Sequence, residues 1–331
     1  MRPLRAAVVG AGWIANDHVS VLRQLGEAEI AAVCDVDPER AARLAPPGAR
    51  TYDDWADLLE REELDAVWVC TPPLHHRAPA VAALERGLHV YLEKPIARNL
   101  DDAAAIVDAA RRAGAVCAVG YQWHATEALD ALREALEGQE IALLVGRSLG
   151  PTNARPWFLD RAQGGGNVLE RGSHQIDLLR AVAGHVMSVQ AAASQVALAQ
   201  GEEERGDIED AASLALRFEG GALGTILVAW TRAGLPGLYT LDVLASDATL
   251  HLTLDPEFTL RGTSGGRSVA AETRQHPFER SIARFIEAVR AGDPGLVFCT
   301  PADAAATLAV AEACEQALVS GETVVVQERT S

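Results

Sequence analysis

Three groups of residues in this chain have the types and spacing to do chemistry. The first is Lys94, the only lysine among 331 residues; every other Lys/Arg position is arginine. It stands in Glu93-Lys94-Pro95, directly after the apolar run Leu88-His89-Val90-Tyr91-Leu92, which reads as a buried strand. An ammonium is a compact point charge whose pKa responds to burial, whereas a guanidinium stays protonated and planar. A site that gives, takes or focuses a proton can therefore require lysine. The plain alternative is a leftover surface lysine, and the position after a buried strand argues against it.

The second group is Gly10-Ala11-Gly12-Trp13-Ile14-Ala15, which follows a predicted strand and opens a predicted helix. Gly10 permits the tight turn, Gly12 lets the backbone approach a pyrophosphate, and Ala15 allows close helix–strand packing. The helix start, at Trp13 and Ile14, offers N–H groups and a positive dipole end to phosphates. Asp35 ends the second predicted strand, where a carboxylate can accept hydrogen bonds from an adenosine ribose. A carboxylate there repels a 2′-phosphate, so NAD is favoured over NADP, with Arg40 one helical turn further on as the counter-indication. The alternative is an ordinary tight turn and an exposed aspartate.

The third group follows Gly164-Gly165-Gly166-Asn167. Asn167 suits a helix cap, and the glycines allow a close approach of backbone to ligand. Glu170, His174 and Asp177 then fall at i, i+4 and i+7, on one helical face, beside an apolar stripe. Such a set is acid–base equipment, half of a metal site without H-E-x-x-H spacing, or a buried ion-pair network. No metal is expected. His75, His76 and His124 lie in loops, where a histidine is more often solvated or hydrogen-bonded than catalytic. Trp123 and Trp157 can wall a sugar site by stacking or simply fill a core. Arg155 and Arg171 can read a substrate carboxylate or face water.

These residues need elements to hold them. Leu4–Val9, Ile30–Cys34, Leu64–Cys70, Leu88–Leu92 and Ala115–Val119 read as strands, apolar throughout and alternating with helices. One helix is expected from a cap at Asp53 and another from Asn99 to Gly114. That pattern predicts an α/β, doubly wound parallel sheet covered on both faces, over residues 1–121. Residues 122–331 change character. Strands are expected at 141–148, 189–198, 211–218, 222–230, 239–245 and 249–254, then helices at 278–291 and 302–320 and a short strand at 324–326. Consecutive strands followed by consecutive helices predict an α+β second domain. The run Ala222–Trp230 is apolar on both faces, which predicts cover on both and hence a homo-oligomer, dimer or tetramer. Gly201–Asp207 reads as an exposed loop.

The net charge of −17 disfavours binding to nucleic acid or anionic membrane, since both need a basic face. Five cysteines without a C-x-x-C pair predict buried thiols rather than disulfides or zinc, and no apolar run of membrane-spanning length occurs. A cytoplasmic location is the default expectation.

Taken in order, Gly10–Ala15, Thr71-Pro72-Pro73-Leu74-His75-His76, Glu93-Lys94-Pro95, Gly120-Tyr121-Gln122, the 164–177 block and Ala313–Gly321 resemble the glucose-fructose oxidoreductase, inositol dehydrogenase and MocA family over nearly the whole chain. The resemblance implies a Rossmann domain and a C-terminal domain on a large, mostly antiparallel sheet often used for oligomerisation. It implies hydride transfer between NAD or NADP and a hydroxyl or carbonyl carbon of a sugar, cyclitol or related polyol. By position, Lys94 resembles the catalytic lysine, His174 the general acid/base and Asp177 a substrate-binding aspartate, while Thr71, Pro72 and His76 match the nicotinamide side and the bond before Pro95 is expected to be cis. Glu170 replaces a common aspartate, and His124 a common arginine. The expectation that joins these readings is that Lys94 and His174 serve one nicotinamide. The alternatives are a catalytically silent NAD(P)-sensing protein of the same fold and an enzyme for a diol-type non-sugar substrate.

Overall fold

The computed structural model describes residues 2–151, 156–196, 208–231 and 237–327. The chain divides into two compact units, Met1–Tyr121 with Phe278–Ala305, and Gln122–Pro277 with Ala306–Ser331.

The first unit is built on six parallel strands: β1 (Leu4–Val9), β2 (Ala28–Cys34), β3 (Arg50–Tyr52), β4 (Ala66–Val69), β5 (His89–Leu92) and β6 (Cys117–Val119). Their order is β3-β2-β1-β4-β5-β6, the doubly wound arrangement whose direction of winding reverses between β1 and β4. The central strands are buried on both faces, which is why they read as unbroken apolar runs. β3 was not expected, because Arg50 and Thr51 are exposed on a sheet edge and carry no apolar signal. The helix Trp13–Leu25 buries Ala15, His18, Val19 and Leu22, a single stripe at helical spacing, and stops at Gly26 in the left-handed region. Asn99 caps Leu100–Ala113 through the Asp102 N–H at 2.9 Å, as read. The Trp55–Arg61 helix is capped by Asp54 rather than Asp53.

The linear reading left 278–291 to the second domain, but Phe278–Ala305 belongs to the first unit. The aromatic contacts give the reason. Phe285 stands edge-on to Trp68 and Tyr91 at centroid distances of 5.2 and 5.5 Å, and the Tyr91 hydroxyl lies 2.9 Å from Ser281 Oγ. Further along, the Val119 N–H donates to the Cys299 carbonyl at 3.0 Å.

The second unit carries nine strands: β7 (Ile141–Pro151), β8 (Val186–Ser194), β9 (Ala211–Phe218), β10 (Leu223–Thr231), β11 (Leu238–Ala245), β12 (Ala248–Leu254), β13 (Thr259–Ser264), β14 (Arg267–Glu272) and β15 (Val324–Val325). Their order is β14-β13-β12-β11-β7-β10-β9-β8-β15, antiparallel except for β7 against β10. β13 and β14 are polar and were missed; only Leu260 among their side chains is deeply buried. The helices Glu127–Ala135 and Ser173–Ala183 pack on this sheet. One face is buried through Leu144, Ile226, Val228, Trp230, Leu241 and Val243. The other holds Leu223, Leu238 and Leu244, exposed by 47, 47 and 41%. A polar patch shares that face: Asp242 takes Arg147 Nη1 at 2.5 Å and lies 2.6 Å from His251 Nδ1. The expected loop at 201–207 lies outside the described residues.

Candidate functional site

Each unit presents its own set of functional side chains. In the first, the Gly10 N–H donates to the Cys34 carbonyl at 2.8 Å, which carries the β1–β2 pairing up to the glycine turn. Gly10 has φ +94°, and a Cβ there would lie 2.7 Å from the Cys70 and Thr71 backbone. Gly12 differs: a Cβ would meet nothing within 4 Å, so the space above the turn is open to a ligand. Gly12 is the N-cap of Trp13–Leu25, and among the described residues no side chain caps it and no acid occupies the first turn. Uncapped N–H groups facing open space at a helix start fit a pyrophosphate.

Asp35 stitches this turn to β2. Its Oδ2 accepts from the Ala11 N–H at 2.7 Å and its Oδ1 from the Asp37 N–H at 2.9 Å. It remains partly exposed, with lone pairs to spare for a ribose hydroxyl. Arg40, the cation the sequence offered to a 2′-phosphate, pairs with Asp37 at 3.2 Å. The residues present fit an NAD-type dinucleotide.

Thr71 and Pro72 follow β4 and are partly exposed. His76 has no exposed surface. Its Nε2 lies 2.7 Å from the Thr71 carbonyl, and its Nδ1 lies 3.0 Å from that of Pro95. His76 thus ties the 71–76 turn to the Pro95 segment instead of presenting its ring to a cofactor. Burial holds its imidazole below the ordinary pKa, outweighing the carbonyls and the Glu93 charge that favour the protonated form. The Lys94–Pro95 bond is cis, as the resemblance implied. Glu93 is also buried: its Oε1 lies 2.8 Å from His18 Nε2, and its Oε2 accepts from the Lys94 N–H at 3.1 Å. Burial would raise the Glu93 carboxyl, but His18 and Lys94 outweigh it and hold the group below its ordinary value. Lys94 itself is half-buried at the carboxyl end of β5.

In the second unit the glycine block acts differently from its reading. The close approaches it permits are internal: a Cβ on Gly165 would strike Leu169, and one on Gly166 would meet Glu209 and Arg161. Asn167 makes no side-chain cap. Glu209 takes that role, accepting from the Val168 N–H at 2.8 Å while pairing with Arg161. Val168–Gly172 is a π-helical turn that runs into the α-helix Ser173–Ala183. Such wide turns often occur at functional sites.

Glu170 and His174 are half-buried, and Asp177 is 2% exposed. Both Asp177 oxygens are engaged. Oδ2 lies 2.6 Å from His124 Nε2, and Oδ1 accepts from the Thr307 hydroxyl at 3.0 Å, which in turn accepts from Arg180 Nη1 at 2.8 Å. The Trp123 ring lies 4.9 Å from His174 and 6.2 Å from Tyr239, whose hydroxyl accepts from Arg171 Nη1 at 3.3 Å. Burial raises the Tyr239 phenol, against the Arg171 charge, and the Glu170 carboxylate adds to the rise. His124, Trp123, Arg171 and His174 are thus gathered around residues that sequence reading did not single out, Tyr239 and Thr307. No local signal marks either one, since both arrive from distant strands or helices. Trp157 lies apart, its ring tilted against Phe158 at a centroid distance of 4.2 Å in a small cluster with Trp230 and Ile208. Arg155 lies outside the described residues. Among the described residues no group of three or more His, Cys, Asp or Glu could hold a metal ion.

Residues 4–121 match the oxidoreductase family with an NAD-binding Rossmann fold, and residues 139–266 match the GFO/IDH/MocA C-terminal domain. The 1,5-anhydro-D-fructose reductase of Ensifer adhaerens is 31% identical over 236 residues, 69% of each chain. This chain belongs to the Gfo/Idh/MocA family. The myo-inositol 2-dehydrogenase of Thermotoga maritima is 26% identical over 89% of this chain and 90% of its own. Among solved structures, the WlbA dehydrogenase from Bordetella pertussis, in complex with NADH and UDP-GlcNAcA, has a TM-score of 0.83 at 25% identity, covering 98% of this chain and 99% of that one. The first unit is therefore the NAD-binding Rossmann domain of a Gfo/Idh/MocA oxidoreductase, and the nine-stranded unit carries the family's C-terminal domain. All five cysteines are buried, and none is in a disulfide. Burial pushes Cys34, Cys117 and Cys314 up to about 12, so these thiols stay protonated and take no nucleophilic part. No helix among the described residues is long and apolar enough to cross a membrane.

Proposed function

We propose that this chain is an NAD-dependent dehydrogenase for a hydroxyl carbon of a sugar, cyclitol or related polyol. The observation that carries the reading is the coexistence of an intact dinucleotide turn (Gly10, Gly12, Asp35) with both proton-carrying side chains, Lys94 and His174. A cofactor-sensing protein has no use for the second pair. The named relatives and the solved dehydrogenase support the same substrate class.

Gly12 and the helix start would hold the pyrophosphate of a nicotinamide cofactor, which would supply or accept the hydride. The residues do the rest. His174 takes the substrate hydroxyl proton, Lys94 is assigned the alkoxide that develops, and Glu170, one helical turn before His174, tunes the charge at the imidazole. A positioned acid/base contributes about 10²–10⁴-fold. Asp177 does not offer an unencumbered carboxylate to a sugar; it acts through His124, which takes over the reading of a neighbouring hydroxyl. Trp123 and Tyr239, their ring planes 63° apart, give the sugar an aromatic, amphipathic lining beside His174, and Arg171 reads a polar or anionic substituent. Trp157, packed with Phe158 and Trp230, takes no part in this reading. We also assign the half-exposed sheet face around Leu223, Leu238 and Leu244 to a second copy of the chain, and the free thiols accord with a reducing, cytoplasmic setting.

The test is NADH formation on mixing enzyme and NAD with a panel of sugars, cyclitols and uronic acids, with non-sugar diols alongside. Turnover confined to the polyols supports the reading. Tight NAD binding with no turnover of any substrate would assign the chain to the sensing class, and turnover of diols alone would move it to the non-sugar class.

A further inference from the structure

The first unit buries an imidazole that the reaction as described does not use. His18 sits on the helix that opens the dinucleotide turn, with no exposed surface, and its Nε2 donates to Glu93 Oε1 at 2.8 Å. Among the described residues Nδ1 has no hydrogen-bond partner. Tyr91 and Phe278 wall the ring at centroid distances of 5.2 and 4.5 Å, which fixes its plane. The other Glu93 oxygen accepts from the backbone N–H of Lys94, and a Cβ on Gly120 would lie 3.1 Å from the same carboxylate. The carboxylate is therefore clamped on three sides, directly beside the only lysine of the chain. A buried carboxylate without a hydrogen-bonding partner takes up a proton, because burial disfavours its charged form.

We propose that His18 is a positioning residue: it keeps Glu93 ionised and oriented, and through Glu93 it sets the field in which Lys94 works. The proposal rests on the role given to Lys94 above. Besides His18 and Lys94, the titratable groups that feel Glu93 are Cys70, His76 and Tyr91. Cys70 and Tyr91 are raised by burial and stay neutral across the working pH range, so neither brings a charge to Glu93, and the Tyr91 hydroxyl is already paired with Ser281. His76 has both ring nitrogens on backbone carbonyls and cannot turn toward Glu93. The dinucleotide helix and the Glu93-Lys94-Pro95 segment are thus coupled through one hydrogen bond, and a change in either reaches the other.

The experiment compares wild type, His18→Leu, His18→Gln and Lys94→Ala, reading NAD Kd, thermal stability, and kcat and kcat/KM against pH. Leucine keeps the apolar bulk and removes the donor; glutamine restores a donor. His18→Leu should lower kcat by about tenfold to a hundredfold, the factor a charge-assisted hydrogen bond is worth. Its acid limb should move to higher pH, because Glu93 then protonates more readily, while NAD Kd stays within a few-fold. His18→Gln should bring both back toward wild type. A purely structural histidine would lower stability and leave the pH profile of the folded enzyme unmoved, and that result overturns the proposal. Should His18→Leu fail to fold, Glu93→Gln decides: loss of the acid limb supports the coupling, and an unchanged limb refutes it. Lys94→Ala separates the two levels. If it stays active, the role of Lys94 itself is wrong; if it is dead while His18→Leu keeps the wild-type profile, only the coupling is.

Discussion

Replacing Asp177 by asparagine changes one atom and removes one charge from a carboxylate that is 2% exposed. The Thr307 hydroxyl donates to Oδ1, and the asparagine carbonyl oxygen keeps that bond. The amide nitrogen must then face His124 Nε2, which lies 2.6 Å from Oδ2 in the wild type. Two N–H groups cannot share one bond, so His124 has to turn its Nε2 into the acceptor and carry its proton on Nδ1. The substitution exchanges a close contact with a carboxylate for one with a neutral amide, a loss of about 1–2 kcal/mol, and it inverts what the imidazole presents on its other side. A loss of that size lowers kcat/KM by about 5–30-fold, and the wrong tautomer adds to it. Asp177→Ala should cost more stability than activity per folded molecule, since it strands His124 and Thr307 together; breaking a buried pair costs about 3–5 kcal/mol. The assays are steady-state NADH formation with the best polyol and a denaturant melt of each variant. An Asp177→Asn enzyme with wild-type kcat/KM would refute the argument that Asp177 works through His124.

Gly10→Ala should abolish NAD binding and destabilise the protein, because it places a Cβ at φ +94° and 2.7 Å from the Cys70 and Thr71 backbone; isothermal titration with NAD checks it. Phe285→Ala should cost about 3–5 kcal/mol in a denaturant melt by emptying the aromatic contact with Trp68 and Tyr91. A near-neutral result would detach the 278–291 helix from the first core. Stability should fall on the acid side. Burial holds the folded His76 pKa below the ordinary histidine value of 6.5, so the unfolded chain takes the proton first and stability erodes as pH falls from about 6.5 toward the folded value. Glu93 is held below the ordinary glutamate value of 4.5, so its contribution is present above that pH and is lost as pH falls through the folded value. His76→Gln should flatten the upper part of the thermal-stability profile and leave the lower part.

What could be read from the chain without coordinates was what has a local cause. Gly10 and Gly12 announce a backbone constraint, and five of the six parallel strands announce themselves as apolar runs because both of their faces are covered. The Asn99 cap and Gly114 stop bracket their helix by side-chain chemistry alone. The polar strands were invisible: Arg50–Tyr52, Thr259–Ser264 and Arg267–Glu272 are strands because a neighbour pairs with them, and their composition says nothing of it. The 278–291 stripe predicted a helix correctly but not the sheet against which Phe285 would settle. Around His174 the residue types were legible and their partnerships were not. Spacing grouped Glu170, His174 and Asp177, whereas the fold inserts a π turn and gives Asp177 to His124 and Thr307, residues far from it in sequence. Likewise Glu209, not Asn167, satisfies the start of that turn.

The most direct measurement is single-turnover hydride transfer in Lys94→Ala and Lys94→Arg, with NAD affinity recorded on the same samples. Both variants should bind NAD as wild type does and transfer hydride at least about 10²-fold more slowly, arginine failing because it keeps the charge without a tunable proton. Wild-type transfer by either variant would contradict the account.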